Sequence, residues 1–346
     1  MLTTVTCPVC EQEHDLAMPA QATQRLEACT ACLNPYLLQS NGAAMAYTVA
    51  MERFGNIREE VKGDAFSEAL LRNSRAILRN LPVFPAVPQK ALGQLHDPLS
   101  SLQDVAETIN QDPALAIRVL RLANSACFAG VVESKTVVQA CTRLGAKRVS
   151  GLLTSVASQG AFRCGDPTLR GVVIRHWEHA CATAVCAQRL EELVEDSKSE
   201  LMFMAGLLHD VGSLVILNLL VTGKIQGMDR LRTDPVALEK ILNRFHALIG
   251  LHVVTHWGLS PELRVSTLFH DTLDGLPSDE HLKMTAAVAL ASGMARELGF
   301  SPDSQVMNER TTEAAEILGI GEARMTEIRA ALTQDLPSVM QAMAMD

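Results

Sequence analysis

The sequence predicts a mainly α protein, an all-helical bundle preceded by a small β module. Three observations carry this reading. Aromatic residues make up only 4% of the 346 residues, while Ala, Leu, Val and Met abound. That mixture favours helices packed on helices over a sheet core. Two C-x-x-C turns, Cys7-Pro8-Val9-Cys10 and Cys29-Thr30-Ala31-Cys32, set the N-terminus apart. Three prolines crowd the run Leu81-Pro82-Val83-Phe84-Pro85-Ala86-Val87-Pro88, which therefore cannot be helix interior and opens a new domain.

The two cysteine turns lie 18 residues apart. This matches the spacing of a structural zinc site, in which four thiolates complete a tetrahedral shell and leave no open position for catalysis. Cys7, Cys10, Cys29 and Cys32 are the expected ligands and Zn²⁺ the expected structural ion. Disulfides would need an oxidising compartment, and the start Met1-Leu2-Thr3-Thr4 lacks the basic and apolar regions of a signal peptide. With no run of 18 apolar residues, no membrane span is expected and the expected location is cytoplasmic. Cys127, Cys141, Cys164, Cys181 and Cys186 read as small core residues.

Residues 1–48 read as a zinc ribbon, with short strands at Thr3–Thr6, Ala17–Pro19 and Tyr36–Leu38 and a hairpin turn at Asn41-Gly42. Residues 49–80 form a helical connector, 81–300 the helical domain, and 301–346 a helical C-terminal extension. Ser100-Ser101-Leu102-Gln103 carries a capping-box pattern and starts one helix. Asp112-Pro113 supplies an N-cap and N1 proline for the next. Thr136 opens a short helix ended by Gly145, and 146–158 form another. Gly165-Asp166-Pro167 breaks the chain. Long helices follow at about 169–194, 199–220 and 235–256, one starts at Ser260-Pro261, and a final pair covers about 283–298 and 310–334.

The net charge of −9 bounds the partners. Residues 1–50 hold one basic residue, Arg25, against Glu11, Glu13, Asp15 and Glu27. A nucleic-acid reader carries Lys and Arg to neutralise phosphates, so nucleic acid is not the expected partner. The helix pair around Gly145 has only Arg143, Lys147 and Arg148 to offer DNA and reads as an ordinary αα-hairpin.

The chemistry-bearing constellation is His209-Asp210 at the end of the apolar stretch Leu201–Leu208. A carboxylate there needs a partner or a metal, and imidazole with carboxylate suits a divalent cation. His179 precedes it on a helix, and His246 and His270-Asp271 follow. Two readings of His179, His209 and Asp210 stand side by side, a polar clasp and a metal site. His246, His252 and His256 are read as hydrogen bonders that tie helices together.

Gly206-Leu207-Leu208-His209-Asp210-Val211-Gly212 resembles the signature of the HD superfamily of metal-dependent phosphohydrolases. More closely, residues 81 to about 300 resemble the HDOD domain, the HD-related output domain of bacterial signalling proteins. The residues that carry it are Leu81-Pro82 with Pro85, Ile109 with Asp112-Pro113-Ala114-Leu115, and Leu120 to Ser125. Gln139-Ala140 with Leu144-Gly145, Trp177 with His179, His246 with Gly250, Trp257-Gly258-Leu259 with Pro261, and His270 complete the set.

The resemblance implies an all-helical bundle acting as a signalling output module through protein–protein interaction. A working HD site resembles His…His-Asp…Asp, and Ser292 stands where the distal Asp is expected, with no carboxylate from Leu282 to Ala295. The alternative is a phosphohydrolase acting on a nucleotide or cyclic dinucleotide, with His179, His209 and Asp210 holding metal. Arg118, Arg121, Arg175 and Arg264 are its candidate phosphate ligands. Asp274-Gly275-Leu276-Pro277 resembles the subclass that hydrolyses cyclic di-GMP only in part, since the tyrosine of Gly-Tyr-Pro is missing.

Overall fold

The computed structural model describes residues 2–17, 23–40, 46–51, 54–82, 85–124, 133–160, 166–194, 201–223, 228–277, 279–302 and 309–343. The Asn41-Gly42 turn, Met18-Pro19, Cys127 and Cys164 lie outside them. The chain is mainly helical after a small β module. It divides into two compact units built from discontinuous segments. One holds Met1–Pro82, Cys164–Gly171 and Leu208–Thr285; the other holds Val83–Arg163, Val172–Leu207 and Ala286–Asp346.

The first unit begins with five strands. β1 (Leu2–Thr6) pairs antiparallel with β2 (Glu13–Ala17), and β3 (Thr23–Ala28), β4 (Pro35–Ser40) and β5 (Ala46–Ala50) form an antiparallel sheet in that order. β3, β5 and all of β2 but Ala17 were not expected as strands. Each cysteine turn closes a hairpin, Cys7–Cys10 between β1 and β2 and Cys29–Cys32 between β3 and β4. The short helices α1 (Ile57–Glu60), α2 (Ala65–Arg72) and α3 (Ser74–Arg79) follow.

The same unit contains α10 (Val211–Val221), α11 (Pro235–His256) and α12 (Pro261–Phe269). Asp234 caps α11 by accepting from the Ala237 amide at 3.0 Å, and Pro235 fills its first position. Nearly every residue of α10 is buried, so it lacks a polar face. Gly212 lets α10 close on α11: a Cβ there would lie 1.9 Å from the His246 carbonyl oxygen and 2.6 Å from the Gly250 nitrogen.

The second unit holds α4 (Ala86–His96), α5 (Leu102–Ile109), α6 (Pro113–Ala123), α7 (Val137–Gly160) and α9 (Met202–Leu208). Most of α8 (Pro167–Arg189) and of α13 (Leu282–Glu297), with α14 (Glu309–Ile317) and α15 (Glu322–Met343), complete it. Ser101 and Asp104 form the capping box of α5, and Asp112 caps α6. Trp177 is buried and donates its indole N–H to the Met343 carbonyl at 2.9 Å, anchoring the end of α15.

Two helix expectations are corrected and one is met. The helix expected over about 199–220 breaks at His209-Asp210 into α9 and α10, and Asp210 is the N-cap residue of the second. The two helices expected around Gly145 are found, since Gly145 sits at a non-helical φ of 75° and ψ of 164° and divides α7 there. The helix expected over about 310–334 is two, α14 and α15, parted at Gly319, whose φ is 67°. Among the described residues the stretch Met202–Val221 is long and apolar enough to cross a membrane, with mean hydropathy 1.8, but 89% of it is buried inside the protein.

Candidate metal centres

The cysteine centre follows from two near-identical turns. The Cys7 carbonyl accepts from the Glu11 amide at 3.0 Å, and the Cys29 carbonyl accepts from Leu33 at 2.9 Å. Glu11 and Leu33, each just past a second cysteine, have φ of 59° and 64°. These left-handed residues swing the chain back into the next strand. Within each turn an amide points at sulfur, Val9 to Cys7 Sγ at 3.4 Å and Ala31 to Cys29 Sγ at 3.3 Å.

Cys7 Sγ and Cys32 Sγ lie 3.8 Å apart, and Cys10 Sγ and Cys29 Sγ 3.5 Å. All four sulfurs fall within 4.8 Å of one another. A tetrahedral zinc with Zn–S bonds of about 2.3 Å requires S···S edges of about 3.8 Å, so the donor set fits that ion. The sulfurs also compete for protons. Hydrogen bonds from Cys29 and Cys32 hold Cys7 far below the ordinary thiol range, while those to Cys29 and Cys7 push Cys32 far above it. A divalent ion removes this conflict by ionising all four. His14 adds its Nε2 at 3.3 Å from Cys29 Sγ and stacks on Tyr36.

The second centre lies in the same unit, where α10, α11 and α12 converge. Asp210 precedes α10, His246 sits in mid α11, and His270 caps α12 with Asp271 after it. Asp210, His246 and His270 are buried, at 6%, 6% and 4% exposure. Their facing atoms make a near-equilateral triangle. His246 Nε2 is 3.3 Å from His270 Nε2, and Asp210 Oδ1 is 3.4 Å from the first and 3.3 Å from the second. Asp271 Oδ2 lies 3.0 Å from His246 Nε2 and Oδ1 3.8 Å from His270 Nε2. The His209 ring stands edge-on to His270 with centroids 4.8 Å apart, and its Nε2 is 3.5 Å from Asp210 Oδ2.

The tautomers decide what this triangle can hold. His246 Nδ1 lies 2.9 Å from the Leu242 carbonyl and His270 Nδ1 2.9 Å from that of Thr267. Each Nδ1–H therefore donates to the main chain, leaving an Nε2 lone pair aimed at the triangle. Two lone pairs and a carboxylate facing one point repel unless a cation sits there. Without metal that cation is a proton. Burial lowers His246, but Asp210 and Asp271 outweigh it and raise it to about 9. Burial likewise raises Asp210, and His209, His246 and His270 more than reverse this, holding it well below the ordinary carboxylate range. A tetrahedral ion bound at about 2.0–2.1 Å needs edges of about 3.4 Å, so the donor set also fits a divalent transition ion.

Of the constellation read from the sequence, His179, His209 and Asp210 are all buried. His209 and Asp210 belong to this centre. His179 lies in the second unit, where its Nδ1 is 2.8 Å from the Phe300 carbonyl and its Nε2 3.2 Å from Ser292 Oγ. His246 does tie helices together, as expected, but through the facing Nε2 triangle. His252 is buried with Nε2 unpaired among the described residues, and His256 is exposed. Of the candidate phosphate ligands, Arg118, Arg121 and Arg175 lie in the second unit, and Arg264 donates to the Leu259 carbonyl at 3.1 Å. Sequence reasoning missed the joining of Asp210, His246, His270 and Asp271. The signal was the repeated His-Asp doublet, once before α10 and once after α12.

Residues 81–273, more than half of the chain, match the HDOD domain. The chain belongs to the HDOD family. Solved structures share its fold. An HDOD protein of unknown function from Geobacter sulfurreducens superposes with a TM-score of 0.59 at 21% identity, over 77% of this chain and 97% of that one. A Shewanella amazonensis protein provisionally named a metal-dependent phosphohydrolase gives 0.62 at 20% identity, over 80% and 97%. A Marinobacter aquaeolei protein provisionally named for signal transduction gives 0.61 at 19% identity, over 89% and 75%. A curated Treponema pallidum protein without an assigned function is 28% identical over 239 residues, and this HDOD chain spans 44% of its length. The cysteine turns, at residues 7–32, precede the HDOD match.

Proposed function

We propose that the chain is a non-enzymatic output module of bacterial signal transduction that works in the reducing cytoplasm by binding a protein partner. Zinc in the cysteine turns serves as a structural ion, and the Asp210–His246–His270 centre is a cation-held clasp. The observation that carries this reading is the closure of the clasp. Three buried donors face one point, and Asp271 Oδ2 lies beside it, 3.0 Å from His246 Nε2. Structural metal sites are closed in this way, whereas hydrolytic sites keep a position open for water. Ser292, a hydroxyl where a distal carboxylate is expected, supports the same conclusion from the second unit.

The alternative is a metal-dependent phosphohydrolase acting on a nucleotide or cyclic dinucleotide. It is favoured by one observation, the half-exposed Asp271, whose side chain is 44% accessible and meets solvent at the edge of the centre. Complementation separates the two. A strain lacking the protein should be restored by Asp210→Asn protein whose fold is verified by circular dichroism, and equally by His209→Gln. Restoration by wild type but by neither folded variant would favour the hydrolase.

A further inference from the structure

The two centres of the first unit are mechanically joined. The buried cluster of the β module is Cys7, Cys29, Ala31, Cys32 and Tyr36, with Val9 and Cys10 against it. Three of these five buried residues are expected metal ligands, beside Val5, Leu26, Leu33 and Leu38, which are buried in the same module, and a module this small gains stability from the ion they bind. Two routes lead from that core to the imidazoles.

The first route runs along β3, which ends at Cys29 and packs on α11 and α12. Glu27 Oε1 lies 4.0 Å from Arg264 Nη1 on α12. The second route leaves the far side of the same turn. Asn34 accepts from the Ile57 amide at 3.3 Å and donates to the Gly55 carbonyl at 2.8 Å, fixing the segment that carries Phe54. Phe54 meets Phe269 edge-on with centroids 5.6 Å apart, and Phe269 directly precedes His270. Asp64 adds a third tie, to Lys240 at 3.1 Å and Arg244 at 3.8 Å on α11. The ties land on α11 and α12, which carry the two facing imidazoles.

We infer that metal loading of Cys7, Cys10, Cys29 and Cys32 sets the spacing of His246 and His270, making the chain a metal-conditional switch. The inference rests on the zinc reading of the cysteine turns. Losing the ion frees Cys29 and the Asn34 turn, the ties to α11 and α12 slacken, and the triangle around Asp210 opens. Linkage makes the effect reciprocal, so a cation in the triangle tightens metal at the cysteines.

The test uses the full chain in three forms: wild type, Cys29→Ser/Cys32→Ser, and Phe54→Ala. Metal content is measured first, then amide hydrogen exchange over α11 and α12, then cobalt uptake at the His/Asp centre. Cys29→Ser/Cys32→Ser should lose the cysteine-bound metal, and amides of α11 and α12 should exchange about tenfold faster, within the usual range of coupling between sites. Phe54→Ala should keep the metal and fall between. Cobalt affinity at the imidazoles should follow the same order. Unchanged exchange and affinity in the serine variant after metal loss would overturn the inference, as would wild type without cysteine-bound metal. If the serine variant unfolds entirely, Phe54→Ala decides, because it keeps the metal and removes only a tie. If wild type takes no cobalt at the imidazoles, the metal reading of the clasp fails, while amide exchange still decides the coupling.

Discussion

His246 Nε2 and His270 Nε2 face each other across 3.3 Å, each with its Nδ1 on a main-chain carbonyl. Neither ring is able to flip its tautomer without stranding a buried carbonyl, so the pair needs a shared cation. Asp210 supplies the matching charge, and the break between α9 and α10 puts it there. The clasp is thus a consequence of backbone hydrogen bonding as much as of side-chain identity.

Breaking the clasp from one side should be costly. Asp210→Ala leaves the imidazoles without the buried one of their two carboxylate partners, at an expected loss of about 3–5 kcal/mol. A double-mutant cycle of Asp210→Ala with His246→Ala, read by urea unfolding with metal chelated, should be strongly non-additive. Additive losses would mean that the two do not act together.

The protonated His246 gives a pH signature. Its folded value of about 9 stands above the ordinary 6.5. Such a group contributes stability that is fully present below pH 6.5 and lost as pH rises through about 9. In chelated protein the expected loss is on the order of 3 kcal/mol across that window. The reading is the difference between wild type and His246→Gln, whose profile should be flatter. Asp210 and Asp271 are lowered and act in the opposite direction, with their contribution lost as pH falls below about 4. Parallel alkaline profiles for the two proteins would remove the proton from the clasp.

Gly212 is predicted to tolerate no side chain. Its absent Cβ is where the His246 carbonyl sits, at 1.9 Å, and backbone on both helices leaves little to yield. Gly212→Ala should cost roughly 1–3 kcal/mol or more through overpacking, whereas Gly63→Ala should cost less, because only its φ of 84° opposes the change and its surroundings are open. Equal melting temperatures for Gly212→Ala and wild type would contradict the close approach of α10 and α11.

Zinc should be present at one ion per cysteine set, and Cys29→Ser should lose it. Zinc retained in full by that variant, measured by elemental analysis, would remove the four-thiolate centre.

Much of the fold was legible because local signals agreed. Asp112-Pro113 and Asp234-Pro235 start helices with their own caps, and the paired cysteine turns announce hairpins. The break at His209-Asp210 was not legible, since the flanks are uniformly apolar and helical in period. The clasp was legible only in part. His209-Asp210 stood out as charge in an apolar stretch, whereas His246 is one polar residue in a helix that buries much of its surface. Which histidines meet depends on Gly212 and Gly250 letting two helices close, a tertiary fact that no local pattern encodes.

The most direct test of the central claim is turnover by the metal-loaded protein. Wild type loaded in turn with manganese, iron, cobalt or zinc is offered a model phosphodiester, a nucleotide and a cyclic dinucleotide. The closed clasp and Ser292 predict no hydrolysis above the metal-only blank. Hydrolysis that disappears in folded Asp210→Asn and His246→Gln proteins would contradict the account and make the centre an active site.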